Sequence, residues 1–412
     1  MTPPTPPSNQ SPRLGPRPLP LHLLTAAMNY VSSNAALPLL SNGLLTWNPL
    51  LAKNAADLRK DLASVEGSVL AAAVDREGRR RLGAFLSGVE RYRAHPYRRD
   101  LKFPPAVWAD GTTRLYDYGQ DGAKGLPVLI IPSLINRAYI LDLSSRRSFL
   151  RWLADQGVWP FLLDWGAPGA MERQFTLTDY IRGRLEPALD CVAGLTGERP
   201  VVAGYCMGGL LAAALAQRRL RDIQGLVLLA TPWDFHAVRP EQARGIAYLA
   251  SGWEGIMGAL GELPVDLLQA LFAALDPQLG ERKFTAFAAL DPGSDQARDF
   301  VALEDWVNDG VPLAAPVARE CLSGWYGANS AAARQWRVDG RPVDPAALDL
   351  PALAIIPAND RIVPPRSALA LADAMPRAAR LSPAAGHIGM MVGRGVEATV
   401  WRPLLDWLKA LP

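Results

Sequence analysis

This sequence predicts an α/β architecture, a mostly parallel sheet with helices on both faces, and three observations carry the prediction. From about residue 112 short apolar runs alternate with helical patterns, the mark of repeated strand–helix–strand units. A Gly-Tyr-Cys-Met-Gly-Gly turn at 204–209 joins the apolar run 200–203 to an Ala/Leu-rich helical stretch. An aspartate and a histidine, Asp360 and His387, then follow strand-like runs in the order that a nucleophile on such a turn requires.

The elements follow in chain order. Residues 1–20 are dense in proline and are expected to be a disordered, partly polyproline tail. Residues 21–110 are expected to be a helical region: Leu58, Leu62, Val65 and Val69 recur at helical steps, and Phe85, Leu86, Val89 and Tyr92 continue the pattern. Such a layer packs on a core, or offers a surface to a partner, a lipid or a hydrophobic polymer. Residues 111–412 are the expected catalytic domain. Its strands are predicted over 114–118, 128–131, 159–164, 201–205, 226–230, 352–356 and 380–381, and its helices over 145–156, 179–195, 208–218, 366–374 and 397–410. A long aromatic-rich stretch at about 232–345, with Trp253, Phe272, Phe284, Phe287, Trp306, Trp325 and Tyr326, exceeds what a crossover needs and is expected to be a lid.

Composition narrows the function. The 412 residues are 49% hydrophobic and 20% charged, with a net charge of +3, so nothing calls for a nucleic-acid partner. Cys191, Cys206 and Cys321 are too few and too scattered for a disulfide framework or a metal site; a cytoplasmic protein without a metal is expected. The N-terminus lacks the pattern of a signal peptide. No apolar stretch reaches the roughly 18 residues of a spanning helix, because Glu254, Glu262, Pro264 and Asp266 interrupt the longest candidate, so a chain that does not cross the membrane is expected.

The turn at 204–209 carries the chemistry. Glycines two before and two after Cys206 suit a sharp strand-to-helix turn in which a Cβ would clash. This is the nucleophile elbow of the α/β-hydrolase fold, here with a thiol instead of a hydroxyl. Of four histidines, His22 and His95 precede the elbow, and His236 sits just past a strand at the expected lid hinge. His387, in a Gly-flanked loop after the last strand, is the expected base. Asp360, 27 residues earlier, is the expected acid, with Asp234 as its rival and Asp164 read as structural. In these roles Cys206 attacks an acyl carbonyl, His387 moves the proton and Asp360 orients the imidazole. The N–H of Met207 and an N–H near Leu134 or Ile135 are the expected oxyanion hole. Cys191 and Cys321 read as packing residues. A thiolate exchanges readily with thioesters, which favours acyl transfer from a CoA-type donor.

Several unlinked motifs add a resemblance. Ile-Pro-Ser-Leu-Ile-Asn-Arg-Ala-Tyr-Ile-Leu-Asp-Leu at 131–143, Asp-Trp-Gly-Ala-Pro-Gly at 164–169, the elbow itself, Asn-Asp-Arg-Ile-Val-Pro-Pro at 359–365 and Gly-His-Ile-Gly at 386–389 resemble polyhydroxyalkanoate synthases. So does Val-Glu-Arg-Tyr-Arg-Ala-His-Pro-Tyr-Arg-Arg-Asp at 89–100, and the resemblance covers about 85–410. It implies an acyltransferase polymerising (R)-3-hydroxyacyl-CoA, with Cys206 carrying the growing chain as a thioester. His387 would deprotonate Cys206, and Asp360 with His387 would activate the incoming 3-hydroxyl. It further implies a homodimer or a helper subunit, work at the surface of polyester granules, and no cofactor beyond the CoA thioester substrate. Two other functions stay open: a hydrolase, either thioesterase or polyester depolymerase, and a non-catalytic granule-binding scaffold acting through residues 21–97.

Overall fold

The computed structural model describes residues 13–119 and 125–412. They fall into two compact units, one from residues 13–97 with Phe272–Asn308 and one from residues 98–119 and 125–271 with Asp309–Pro412.

The larger unit is built on eight strands: β1 Ala106–Asp110, β2 Thr113–Asp117, β3 Pro127–Ile131, β4 Trp159–Asp164, β5 Val201–Tyr205, β6 Gly225–Leu229, β7 Ala352–Ile355 and β8 Ala378–Leu381. Their order across the sheet is β1-β2-β4-β3-β5-β6-β7-β8. β2 runs antiparallel to β1 and β4, and the remaining pairs are parallel. β3, β5, β6 and β7 are buried along their whole length, as expected of parallel strands covered on both faces. The chain moves outward from β3 to β4, then crosses back to β5 on the other side of β3. Such a reversal opens a crevice at the carboxyl ends of the strands, and Cys206 follows the end of β5.

The strand absent from the sequence reading is β1. Residues 21–110 were expected to be a helical region, but the last N-terminal helix, Gly67–Ala94, stops before His95. Pro104 and Pro105 exclude helix ahead of β1, and β1 turns into β2 through Gly111 and Thr112. Gly111 has φ +56°, and a Cβ there would lie 2.0 Å from Glu172 Oε1. That carboxylate accepts the N–H groups of Thr112 and Gly169.

The smaller unit joins the helices Leu19–Ala35, Ala52–Leu62 and Gly67–Ala94 to Leu279–Ala288 and Asp295–Asn308. Phe85, Tyr92, Phe284 and Val301 form its core. Phe284 lies edge-on to Phe85 and Tyr92, at 6.3 and 5.5 Å between ring centroids. Gly88 lets the two backbones touch, since a Cβ there would meet Phe284 O at 2.0 Å. The expected insertion at 232–345 is therefore not one piece: its residues 272–308 pack with the N-terminal helices because their aromatic side chains find that core. Of the expected tail at 1–20, residues 1–12 lie outside the described residues, whereas Leu19 and Pro20 already belong to a helix. Proline is tolerated there because first-turn N–H groups have no intrahelical acceptor. Among the described residues no helix is long and apolar enough to cross a membrane.

Candidate active site

β5 ends at Tyr205, and the helix Met207–Arg218 begins two residues later. Cys206 between them has φ +54° and ψ −124°, a conformation that costs a non-glycine residue about 1–3 kcal/mol. Its N–H is held by Leu229 O of β6 at 2.8 Å. The glycines around it are required by contact. A Cβ on Gly204 would lie 2.4 Å from Gly209 Cα, one on Gly208 2.2 Å from Ile131 O, and one on Gly209 1.8 Å from Thr231 Oγ1. Small residues thus bring the first helical turn against the ends of β3 and β6. Met207 opens the helix, so its N–H has no acceptor within the helix.

His387 and Asp360 meet at the same edge of the sheet. His387 Nδ1 lies 2.7 Å from Asp360 Oδ2, with the two residues 8% and 6% exposed. The second carboxylate oxygen accepts the N–H groups of Ile362 and Val363, each at 2.8 Å, so the acid is locked by its own loop. With Nδ1 engaged by the carboxylate, the other ring nitrogen of His387 remains for proton transfer, and Cys206 is near enough for its charge to act on the ring. Burial disfavours the charged imidazole. The Cys206 charge, the hydrogen bonds to Asp360 and Cys206, and the Asp360 charge outweigh it and push the pKa up to about 10.

The rival residues are occupied elsewhere. Asp234 Oδ1 accepts from the His236 N–H at 2.9 Å and from Asn329 Nδ2 at 2.8 Å. His236 Nε2 lies 2.8 Å from Tyr326 O. The pair ties the exit of β6 to residues 326–329. Asp164 Oδ1 accepts the Gly166 N–H at 3.1 Å. His95 bonds Pro292 O and His22 bonds Arg17 O, both within the smaller unit. Cys321 is buried, and burial, then the Glu320 charge, raises its thiol well above the ordinary range; burial also raises Cys191.

The expected oxyanion loop follows β3 and begins where Ile131 and Pro132 abut Gly208. Leu134 is buried in it. The N–H of Ile135 is taken by Ser133 Oγ at 3.2 Å, which sets it against the donor role considered for it.

Two aromatic residues that the sequence reading gave no place at the site lie near it. Tyr205, between Gly204 and Cys206, stacks on the His387 ring with centroids 5.3 Å apart. Tyr326 has its hydroxyl pKa raised by burial, then by the charges of Cys206 and Cys321. It belongs to an aromatic group in which Phe235 contacts both Tyr326 and Trp325, and Trp325 meets Trp336 edge-on. Tyr205 fills the unspecified position of the elbow pattern and Tyr326 is one of many aromatic residues in the inserted stretch, so spacing flags neither.

Comparison with known proteins bears on the fold and on the relatives of this chain. Residues 127–394 match the family described as alpha/beta hydrolase fold. The chain is 29% identical over 312 residues to the poly(3-hydroxyalkanoate) polymerase subunit PhaC of Haloferax mediterranei, a match covering 73% of this chain and 62% of that protein. It is 29% identical to the subunit of the same name in Synechocystis sp., over 79% of this chain and 89% of that one, and 28% identical to that of Allochromatium vinosum, over 74% and 87%. The chain belongs to the alpha/beta hydrolase fold family and, within it, is similar to poly(3-hydroxyalkanoate) polymerase subunits.

Proposed function

We propose that this protein is an acyltransferase that polymerises (R)-3-hydroxyacyl groups from CoA thioesters into polyhydroxyalkanoate, with Cys206 as the covalent carrier. One observation carries the reading: a cysteine at the elbow, with a buried, hydrogen-bonded His387–Asp360 pair beside it, in a chain similar to named polymerase subunits. The same reading gives the chain a second copy or a helper subunit, and a place at the granule surface.

The chemistry balances on these residues. The Cys206 thiolate attacks the thioester carbonyl, and the N–H groups of Met207 and Leu134 receive the oxyanion. The bond from carbonyl carbon to the CoA sulfur breaks, and the departing thiolate takes the proton of the His387 imidazolium. Neutral His387 then removes the proton of an incoming 3-hydroxyl. That oxygen attacks the Cys206 thioester, forming an ester and returning the thiolate–imidazolium pair. Asp360 keeps the Nδ1 proton in place and stabilises the cation throughout. Incubation with (R)-3-hydroxybutyryl-CoA is expected to release CoA and form insoluble polymer. Soluble free acid as the sole product would mean that water resolves the acyl-enzyme and that the protein is a hydrolase.

Asp360→Asn is expected to slow CoA release roughly 10²- to 10⁴-fold and to leave a trace of activity, because the acid orients and does not attack. Without its hydrogen bond and charge, burial weighs more heavily on the imidazole. The alkaline limb of the rate profile therefore moves down from about pH 10. Asp234→Asn should stay near the wild-type rate; if it were the more damaging change, the acid would be misassigned.

A further inference from the structure

Asp360 by itself leaves the imidazole incompletely placed. A single hydrogen bond at Nδ1 is a pivot, and rotation about it would swing the opposite nitrogen away from the Cys206 sulfur. The loop bearing His387 is tied down by backbone bonds from Asn359 N–H to Ala385 O at 3.0 Å and from Ala358 N–H to Pro383 O at 2.9 Å. Neither acts on the ring.

Tyr205 does. It is 3% exposed and sits on the central strand β5, its backbone paired opposite Leu229 of β6. Its ring lies against the imidazole at 5.3 Å between centroids and 29° between planes. Its hydroxyl donates to the backbone oxygen of His387 at 3.2 Å. Burial, then the charges of Cys206 and Asp360, holds that hydroxyl far above its ordinary pKa, so it remains a donor over the working range. One side chain on a rigid strand therefore fixes both the plane of the imidazole and the height of the backbone that carries it.

We propose that Tyr205 is a positioning residue: a shelf beneath His387 that stops the imidazole from turning about its bond to Asp360 and so keeps it aligned with Cys206. The proposal rests on the reading of Cys206 and His387 as the reacting pair, and the test separates the two. In the intact protein, the rate of Cys206 alkylation by iodoacetamide at one fixed neutral pH is followed by mass spectrometry of the Cys206 peptide, beside kcat and KM for CoA release. Four proteins are compared: wild type, His387→Gln, Tyr205→Phe and Tyr205→Leu.

His387→Gln should slow that alkylation about tenfold or more; an unchanged rate would overturn the reacting pair itself. Tyr205→Phe keeps the ring and loses the hydroxyl, so kcat should fall about fivefold, the worth of one neutral hydrogen bond, with KM unchanged. Tyr205→Leu loses the stack as well. Its kcat should fall roughly thirtyfold, and its alkylation rate should fall about halfway to that of His387→Gln. A residue that merely fills the core would lower the melting temperature without moving the alkylation rate or kcat. If His387→Gln slows alkylation while both tyrosine variants keep the wild-type alkylation rate and kcat, the shelf is overturned and the pair stands. If Tyr205→Leu does not fold, Tyr205→Phe decides: a wild-type kcat there overturns the proposal.

Discussion

Cys206→Ala is expected to abolish CoA release, with a loss on the order of 10⁴- to 10⁶-fold, while the protein stays folded. Cys206 is half-buried against a cluster that includes Ala354, Val363 and Ala368, so removing one sulfur atom leaves only a small cavity. The chemistry has no substitute, because Cys191 lies on a different helix and Cys321 is buried with its thiol held protonated. His387→Gln should cost nearly as much, and the double variant no more than the worse of the two. Groups that act as one unit lose their whole contribution when any member is removed. Chromatographic measurement of CoA release from hydroxyacyl-CoA reads all three. Activity in Cys206→Ala above one-hundredth of wild type would place the nucleophile elsewhere.

Gly208→Ala should have the largest effect on stability, roughly 3 kcal/mol or more. The added methyl would lie 2.2 Å from Ile131 O and 2.6 Å from Pro132 O, both backbone atoms. Ile131 pairs with Gly204 in the register between β3 and β5, so it cannot retreat without unpairing the sheet beneath the nucleophile. Gly245→Ala is the control. It lies inside the helix Pro240–Ser251, where a Cβ meets nothing within 4 Å, and alanine there should stabilise by about 0.5–1 kcal/mol. Urea midpoints of the two variants should fall on opposite sides of wild type. A Gly208→Ala midpoint equal to wild type would show that the elbow is less tightly packed than these distances imply.

The parts of the fold that could be read without coordinates have a local cause. β4 and β5 fall on their predicted residues, because a buried parallel strand is a short, uninterrupted apolar run with turn residues at its ends. The elbow is legible for a related reason: three glycines at fixed spacing record contacts between neighbouring backbones. β1 was missed because Ala-Val-Trp-Ala-Asp is neither strongly alternating nor wholly apolar. Its burial pattern is mostly exposed, so only its pairing with β2 makes it a strand. The aromatic residues 284–300 likewise looked like part of one lid, since nothing near them in sequence says that Gly88 and Phe85 are their neighbours.

At the site the same division holds. Residue type and order along the chain single out Cys206, Asp360 and His387 as candidates among the available thiols, acids and imidazoles, since strand ends deliver side chains to one edge of a parallel sheet, and the structure puts His387 Nδ1 2.7 Å from Asp360. Tertiary structure decided what order could not. It spent Asp234 on Asn329 and the Ile135 N–H on Ser133, and it laid Tyr205 under the imidazole. Each of these depends on hydrogen bonds or ring contacts between segments far apart in sequence or hidden in a loop's own turn. The chemical repertoire of this protein is thus written locally, while the alignment that would make it act is a property of the packed sheet.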